Sequence, residues 1–159
     1  MMQQNTNSVR SIGELLKARA YHFCAAESCT GGLLLSTVTD VPGSSAYVLG
    51  GVVTYSNDAK QQLVNVQTQT LLDYGAVSEQ TALEMVRGVC ALFGAEVGVS
   101  VTGIAGPGGG TPEKPVGLVY IGVQVVQDVR VERFLWRGNR TQNKVDSVNA
   151  AFTLLREML

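Results

Sequence analysis

The segment AESCTGG, residues 26–32, places Ser28 and Cys29 between an apolar run and two glycines that lead into a second apolar run. A serine at such a strand-to-helix turn commonly caps the helix, an effect of about 1 kcal/mol. The same position suits a nucleophile, because backbone N–H groups at a helix start can stabilise an oxyanion. Gly31 and Gly32 would let a substrate approach the main chain closely. Cys29 is a competing nucleophile, since a helix start can also lower the pKa of a thiol.

A nucleophilic serine needs a base, and the sequence offers few. The one histidine, His22, precedes Ser28 on the same predicted strand. At about 3.3 Å per residue of extended chain it lies too far away to form a Ser-His-Asp triad. A lysine can replace histidine where burial or neighbouring groups lower its pKa, because only the neutral amine accepts a proton. Lys60 follows a predicted core strand that ends in Tyr55, within VTYSNDAK; the alternative for Lys60 is a solvated helix face.

A second candidate region is the glycine-rich segment of residues 100–117, SVTGIAGPGGGTPEKPVG. It matches neither the P-loop pattern nor G-x-G-x-x-G. A strand that ends at Thr102 and continues into such a loop could bring backbone donors to a ligand, although a plain connection between strands would have the same composition. Arg140, at the start of the last predicted helix, could pair with a phosphate or carboxylate or simply cover the surface.

Composition excludes several classes of protein. Hydrophobic residues make up 45% of the 159-residue chain and charged residues 16%, as expected for one globular domain. A net charge of −1, without any Lys/Arg cluster, argues against nucleic acid as a partner. The polar start is no signal peptide, and no apolar run approaches the roughly 20 residues of a membrane span. Three cysteines without C-x-x-C spacing indicate neither a disulfide framework nor a zinc site. We therefore predict a cytoplasmic protein with no metal, no cofactor and no membrane contact.

Helical and strand patterns interleave along the chain. The clearest helix covers 79–93, where apolar residues recur at helical spacing between Ser78 as N-cap and Gly94 as the stop. Further helices are expected from Ser11, over 33–39, after Ser56 or Asn57, and from about 140 to the end; strands are expected at 21–26, 46–55, 96–102, 116–126 and, nearer an edge, 129–136. This order predicts a three-layer α/β/α sandwich with a mixed, mostly parallel sheet. A polar tail over 1–7 would precede a single domain over 8–159.

Several blocks together resemble the CinA carboxy-terminal domain family. These are AESCTGG, VTYSNDAK, GAVSEQT, VTGIAGPGGGTPEKPVG and the later RGNR, which occur in the family's order over about residues 8–159. The resemblance implies an amidohydrolase that deamidates nicotinamide mononucleotide to nicotinic acid mononucleotide and ammonia, in pyridine nucleotide (NAD) recycling. It also makes a homo-oligomer the expected assembly.

The resemblance further implies Ser/Lys catalysis through an acyl-enzyme. Ser28 would be the nucleophile, and Lys60 and Tyr55 would assist proton transfer. Backbone N–H groups near Cys29 to Gly32 would hold the oxyanion, and the loop after Thr102 would bind the ribose phosphate. The expected substrate contacts are Glu27, Cys29, Thr30, Gly31, Gly32, Thr102, Gly103, Gly106 and Arg140.

Two other functions compete with this interpretation. One is a non-catalytic nucleotide-binding or competence-related interaction module; the joint presence of Ser28, Tyr55 and Lys60 favours the enzyme. The other keeps the serine amidohydrolase but changes the substrate to another pyridine carboxamide or small amide. Ammonia release from nicotinamide mononucleotide would separate the first alternative from the enzyme.

Overall fold

Five strands form one mixed sheet in the computed structural model, which describes the backbone of residues 2–159 and the side chains of residues 8–159. The strands are β1 (Phe23–Glu27), β2 (Val48–Val53), β3 (Val97–Gly103), β4 (Leu118–Val125) and β5 (Asp128–Leu135). Their order across the sheet is β2-β1-β3-β4-β5. β1 is parallel to both β2 and β3, whereas β4 pairs antiparallel with β3 and β5.

Helices cover both faces of the sheet. They are α1 (Met2–Ala18), α2 (Leu33–Thr39), α3 (Asn57–Val64), α4 (Thr68–Tyr74), α5 (Glu79–Phe93) and α6 (Arg140–Met158), with a 3-10 turn at Ser44–Ala46. α1, α2 and α6 pack together on one face, and α3 and α4 pack on α5 on the other. The predicted three-layer α/β/α sandwich with a mixed sheet is confirmed, and β5 is an edge strand as expected.

Local capping explains why α3 and α5 were predictable. Ser78 accepts a hydrogen bond from the backbone N–H of Thr81, and Gly94 ends α5 with a φ of 63°, a conformation that glycine adopts without strain. Ser56 accepts from the backbone N–H of Ala59, 3.1 Å away. This cap starts α3 where the sequence predicted, and it places Lys60 within the first turns of that helix.

Two helical predictions were wrong. α1 begins at Met2 instead of Ser11, so Ser11 lies inside the helix and does not cap its start. The predicted tail over 1–7 lies outside the residues with described side chains, and the domain boundary at residue 8 stays a prediction, although residues 2–7 belong to α1. α4 was not predicted, because none of its side chains is fully buried and an apolar period is therefore missing.

The sheet topology brings three strand ends together. β1, β2 and β3 are parallel neighbours, so their carboxyl ends meet at one edge, where α/β proteins generally place ligand sites. Ser28 follows β1, Thr54 follows β2, and Thr102 is the second-last residue of β3. The core strand β1 is buried along its whole length, which fixes the position of the turn that follows it. None of the described helices has the length and apolar character needed to cross a membrane.

Candidate active site

A cavity of about 280 Å³ opens at the carboxyl edge of the three parallel strands. The residues expected at the site that line it are Ser28, Cys29, Tyr55, Lys60, Thr102, Gly103, Gly106 and Arg140. Three separate stretches of chain therefore converge: the turn after β1, the start of α3, and the glycine-rich loop after β3. Within the described residues, no three side chains of the His, Cys, Asp or Glu type gather in a way that would hold a metal ion.

The hydroxyl of Ser28 and the amine of Lys60 are in direct contact. Lys60 Nζ lies 3.1 Å from Ser28 Oγ and donates a hydrogen bond to the carbonyl oxygen of Thr54 at 2.7 Å. A neutral amine can donate one proton to the Thr54 carbonyl and still direct its lone pair at the serine hydroxyl. The pair thus has the geometry of a nucleophile and its general base.

Burial lowers the pKa of Lys60 below that of an ordinary lysine. Lys60 is only 1% exposed, and among the side chains of residues 8–159 no carboxylate pairs with it: its hydrogen-bond partners are a hydroxyl and a carbonyl. Removing water from an unpaired ammonium destabilises the charged form. The environment therefore favours the neutral amine, the form that can accept a proton from Ser28.

Glu27 stabilises the turn by accepting backbone hydrogen bonds, and it does not line the cavity. Its fully buried carboxylate accepts hydrogen bonds from the backbone N–H groups of Gly32 and Leu34, both at 3.1 Å, and Leu35 at 2.9 Å. A carboxylate at a helix N-terminus satisfies donors that the helix leaves unpaired and matches the positive end of its dipole. Glu27 was expected to contact substrate; the structure gives its oxygens to the backbone instead.

The same turn leaves two N–H groups without a backbone acceptor. The N–H of Gly31 bonds to the carbonyl of Ser28 at 3.1 Å, and that of Gly32 bonds to Glu27. Among the described residues, the N–H groups of Cys29 and Thr30 donate to no backbone carbonyl, and the N–H of Cys29 faces its own thiol. Of the four N–H groups expected to hold an oxyanion, the structure thus leaves those of Cys29 and Thr30 available.

Gly31 and Gly32 serve the backbone of the turn and lie outside the cavity lining. Their φ values are +62° and +98°, which side chains with a Cβ rarely adopt. Thr30 is also outside the cavity: it is fully buried, and its Oγ1 has no hydrogen-bond partner within the described residues. Of the turn residues 28–32, only Ser28 and Cys29 line the cavity, so a contact of Thr30, Gly31 or Gly32 with substrate would come from the backbone.

Cys29 is a poor rival for the role of nucleophile. It lines the cavity, but burial raises the pKa of its thiol to about 11. The thiolate, which is the reactive form, is therefore scarce at neutral pH. The neighbouring Ser28 has the contact with Lys60 that Cys29 lacks.

The open side of the cavity is organised by Arg140. Its Nη1 donates to the carbonyl oxygen of Gly106 at 2.7 Å, and its Nη2 donates to the hydroxyl of Tyr55 at 2.9 Å. Tyr55 is 62% exposed. The resemblance implied that Tyr55 assists Lys60 in proton transfer. In the structure the tyrosine hydroxyl is bonded to Arg140, and Lys60 is bonded to Ser28 and Thr54.

The end of β3 also lines the cavity, together with the Ser28–Lys60 pair and Arg140. Thr102 is 1% exposed, and its hydroxyl donates to the carbonyl of Ala76 at 2.7 Å, so it holds the neighbouring loop. Gly103 and Gly106 must be glycines for steric reasons. A Cβ at Gly103 would lie 2.6 Å from Val119 Cγ2, and one at Gly106 would lie 2.5 Å from Val116 Cγ1.

Seven further residues line the cavity: Asn57, Ala76, Val77, Ile104, Ala105, Gly108 and Gly109. The last four lie in the loop after Thr102 that was expected to bind the ribose phosphate, whereas Asn57, Ala76 and Val77 were not expected at the site. Asn57 and the pair Ala76–Val77 lie inside the blocks VTYSNDAK and GAVSEQT, which were quoted for the resemblance without a role for these residues. Small apolar residues carry no chemical signature, so only the fold could place them here.

His22 is excluded as a base by its position as well as by its distance along the chain. It lies before β1, at the opposite end of that strand from Ser28. Its Nδ1 is 3.2 Å from Glu96 Oε2, and its backbone N–H donates to the same oxygen at 2.7 Å. His22 and Ser28 therefore lie at opposite ends of β1, too far apart for a Ser-His-Asp triad.

The chain is similar to one protein family throughout its length. A family model described as the CinA C-terminal domain matches residues 5–159. A CinA-like protein of Chlorobaculum tepidum is 55% identical over 145 residues, which cover 88% of this chain and 34% of that protein. A protein of Moorella thermoacetica that is named as competence-damage inducible is 50% identical over 143 residues, 90% of this chain and 34% of that protein. The chain thus spans about a third of the length of these curated relatives.

The fold has also been solved in related proteins. The crystal structure of the competence/damage inducible protein CihA from Agrobacterium tumefaciens matches with a TM-score of 0.94 at 41% sequence identity, covering 96% of this chain and 94% of that one. This similarity extends across both helical layers and the sheet.

Proposed function

The chain belongs to the CinA C-terminal domain family, and from that premise we propose that it is a serine amidohydrolase that converts nicotinamide mononucleotide to nicotinic acid mononucleotide and ammonia. The observation that carries the proposal is the contact of 3.1 Å between Ser28 Oγ and the buried amine of Lys60, at the wall of a cavity. A buried lysine paired with a serine, and not with a carboxylate, has little structural value of its own, because burial of an unpaired amine is costly.

In the first half of the reaction, Ser28 Oγ attacks the carboxamide carbon while its proton moves to the neutral amine of Lys60. The carbonyl oxygen of the substrate becomes an oxyanion, and we expect the N–H groups of Cys29 and Thr30 to hold it, since neither donates to a backbone carbonyl. One donor of this kind typically lowers a barrier by about 3 kcal/mol. The Lys60 ammonium then gives its proton to the departing nitrogen, and ammonia leaves an acyl-enzyme on Ser28.

In the second half, water replaces ammonia. Lys60, again neutral, takes a proton from water as its oxygen attacks the ester carbon, and the proton returns to Ser28 Oγ as the acid is released. The carbonyl of Thr54 holds the amine in place throughout, since its hydrogen bond to Nζ is short at 2.7 Å. One water is consumed, and one ammonia and one carboxylic acid are formed.

The open side of the cavity is suited to the anionic part of the substrate. Arg140 uses one nitrogen for Gly106 and another for Tyr55, and its guanidinium has further N–H donors for a phosphate. Gly108 and Gly109 expose backbone at the same opening. The ring would then lie toward Ala76 and Val77, next to the reactive pair.

The test is ammonia release from nicotinamide mononucleotide by the purified protein. We expect turnover by the wild type and a loss of at least about a thousandfold for Ser28→Ala, as for other nucleophile removals in serine hydrolases. Ser36→Ala, at an exposed serine on α2, is the matched control and should retain full activity. Turnover by Ser28→Ala at the wild-type rate would refute the proposal.

The names of the relatives favour a second candidate, a competence-related interaction module without catalysis. The same assay separates the two when thermal stabilisation is measured alongside it, because a ligand at 100 times its Kd stabilises a protein by about 2.7 kcal/mol. Stabilisation by the nucleotide without any ammonia release would support the module. Turnover of other pyridine carboxamides, but not of the mononucleotide, would keep the mechanism and change the substrate.

A further inference from the structure

Two thiols outside the cavity lie against each other in the protein core. Cys24 on β1 is fully buried and Cys90 on α5 is 4% exposed. Both sulfurs lie over Gly98, the partner of Cys24 in the β1–β3 register. A Cβ at Gly98 would lie 2.3 Å from Cys90 Sγ and 3.5 Å from Cys24 Sγ. Glycine at position 98 therefore makes the space in which the α5 thiol reaches the sheet beside Cys24.

The two thiols differ in their access to solvent. Cys90 lines a surface cavity of about 730 Å³ together with Arg87, Glu96 and Gln124. Cys24 lies behind it, with its Sγ 3.7 Å from the carbonyl oxygen of Val97. The adjacent Cys90 side chain, together with burial, raises the pKa of the Cys24 thiol far above its ordinary value. A small oxidant would therefore meet Cys90 first, while Cys24 remains a protonated thiol.

We propose that Cys24 and Cys90 form an oxidation site, which a hydroperoxide converts to an intramolecular disulfide. In the first step the Cys90 sulfur attacks the terminal peroxide oxygen, the O–O bond breaks, an alcohol or water leaves, and Cys90 becomes a sulfenic acid. In the second step the Cys24 sulfur attacks the Cys90 sulfur, the S–O bond breaks, and the thiol proton leaves with the hydroxyl group as water. Two electrons pass from the thiol pair to the hydroperoxide, and a dithiol reductant can return them.

The disulfide would tie α5 to β1, the strand that leads directly into the Ser28 turn. A cross-link between two elements so far apart in sequence restricts the unfolded chain, and it stabilises the folded protein when the native geometry accommodates it. The oxidised protein is therefore expected to melt at a higher temperature than the reduced one, and dithiothreitol should reverse the difference.

The experiment treats the native wild-type protein with hydrogen peroxide, alkylates the remaining thiols after unfolding, and maps the peptides by mass spectrometry. We expect a linked peptide pair that contains Cys24 and Cys90, with Cys29 recovered as the alkylated form. In Cys24→Ala the second step has no thiol, so Cys90 should accumulate as a sulfenic acid that dimedone traps. The matched control, Cys29→Ala, should form the same linked pair as the wild type.

The wild-type map decides the proposal whether or not the variants fold. Absence of the Cys24–Cys90 link after oxidation of the native protein would overturn it. So would a link that forms only after unfolding, or one that joins Cys29 to either of the other cysteines.

Discussion

The two ends of the cavity are built in different ways. At the closed end, Ser28 and Lys60 are 8% and 1% exposed and are fixed by the core strand β1 and the capped helix α3. At the open end, Tyr55 is 62% exposed, and Arg140 reaches it from the start of α6 while also holding the glycine-rich loop. The reactive groups thus occupy the closed end, and the groups that suit an anion occupy the open end. Substitutions at the closed end should lower kcat, and substitutions at the open end should raise KM.

The largest effect is expected for Lys60→Met. Loss of the general base should lower kcat by about a thousandfold, within the usual range for acid–base groups, with little change in KM. Steady-state kinetics against Lys17→Met, at an exposed lysine of α1, provides the comparison. A rise in KM at constant kcat would place Lys60 in substrate binding and would remove the distinction between the two ends.

The same variant makes a prediction for stability. The pKa of Lys60 is lower in the folded protein than in the unfolded chain, so between these two values the unfolded state binds more protons and stability rises with pH. Lys60→Met lacks the titrating amine and therefore lacks this dependence of stability on pH. Denaturant unfolding should therefore show the wild type gaining stability relative to Lys60→Met as the pH rises toward 10.5, the ordinary lysine value. A constant difference across that range would contradict the lowered pKa.

Glu27→Gln is the next largest change. A glutamine offers one acceptor oxygen and an NH₂ group where three backbone N–H groups now meet a carboxylate. We expect a loss of about 1–3 kcal/mol in the free energy of unfolding and a fall in kcat of about tenfold or more, because the turn that presents the N–H groups of Cys29 and Thr30 is loosened. Chemical denaturation and kinetics against Glu14→Gln, at an exposed residue of α1, test both effects. Unchanged kcat in a destabilised protein would limit Glu27 to a structural role.

Arg140→Met tests the open end. Removal of the guanidinium should raise KM for nicotinamide mononucleotide by about ten- to a hundredfold, since hydrogen bonds to charged groups contribute about 1.5–3 kcal/mol, and should change kcat far less. Arg133→Met, an exposed position on β5, serves as the control. If nicotinamide riboside, which lacks the phosphate, suffers the same loss as the mononucleotide, then Arg140 does not recognise phosphate.

The smallest effect is expected for Tyr55→Phe. Its hydroxyl is bonded to Arg140 and not to the amine, so we expect a change of a few-fold in KM and no change in the pH profile of kcat. Tyr74→Phe, at another half-exposed tyrosine, is the comparison. A shift of the acid side of the kcat–pH profile in Tyr55→Phe would show that the tyrosine takes part in proton transfer, as the resemblance implied.

The sequence predicted what is determined locally. The caps at Ser56 and Ser78 predicted the starts of α3 and α5. The scarcity of bases made Lys60 a candidate partner of Ser28, and the resemblance to the CinA family implied that role. The sequence could not show which way each side chain points. Glu27 and Thr102 satisfy backbone groups inside the protein, and that outcome depends on neighbours supplied by other elements. The bond between Arg140 and Tyr55 joins residues 85 positions apart, a relation that periodicity and spacing do not contain.

The central claim is that Lys60, whose pKa is lowered by burial, is the base in contact with Ser28. Titration of the lysine side-chain nitrogens by NMR, with Lys60→Met used to assign the signal, tests it directly. We predict that the Lys60 signal titrates below 10.5, the ordinary lysine value, and that Ser28→Ala alters this signal. A Lys60 signal that titrates at the ordinary lysine pKa would contradict the account.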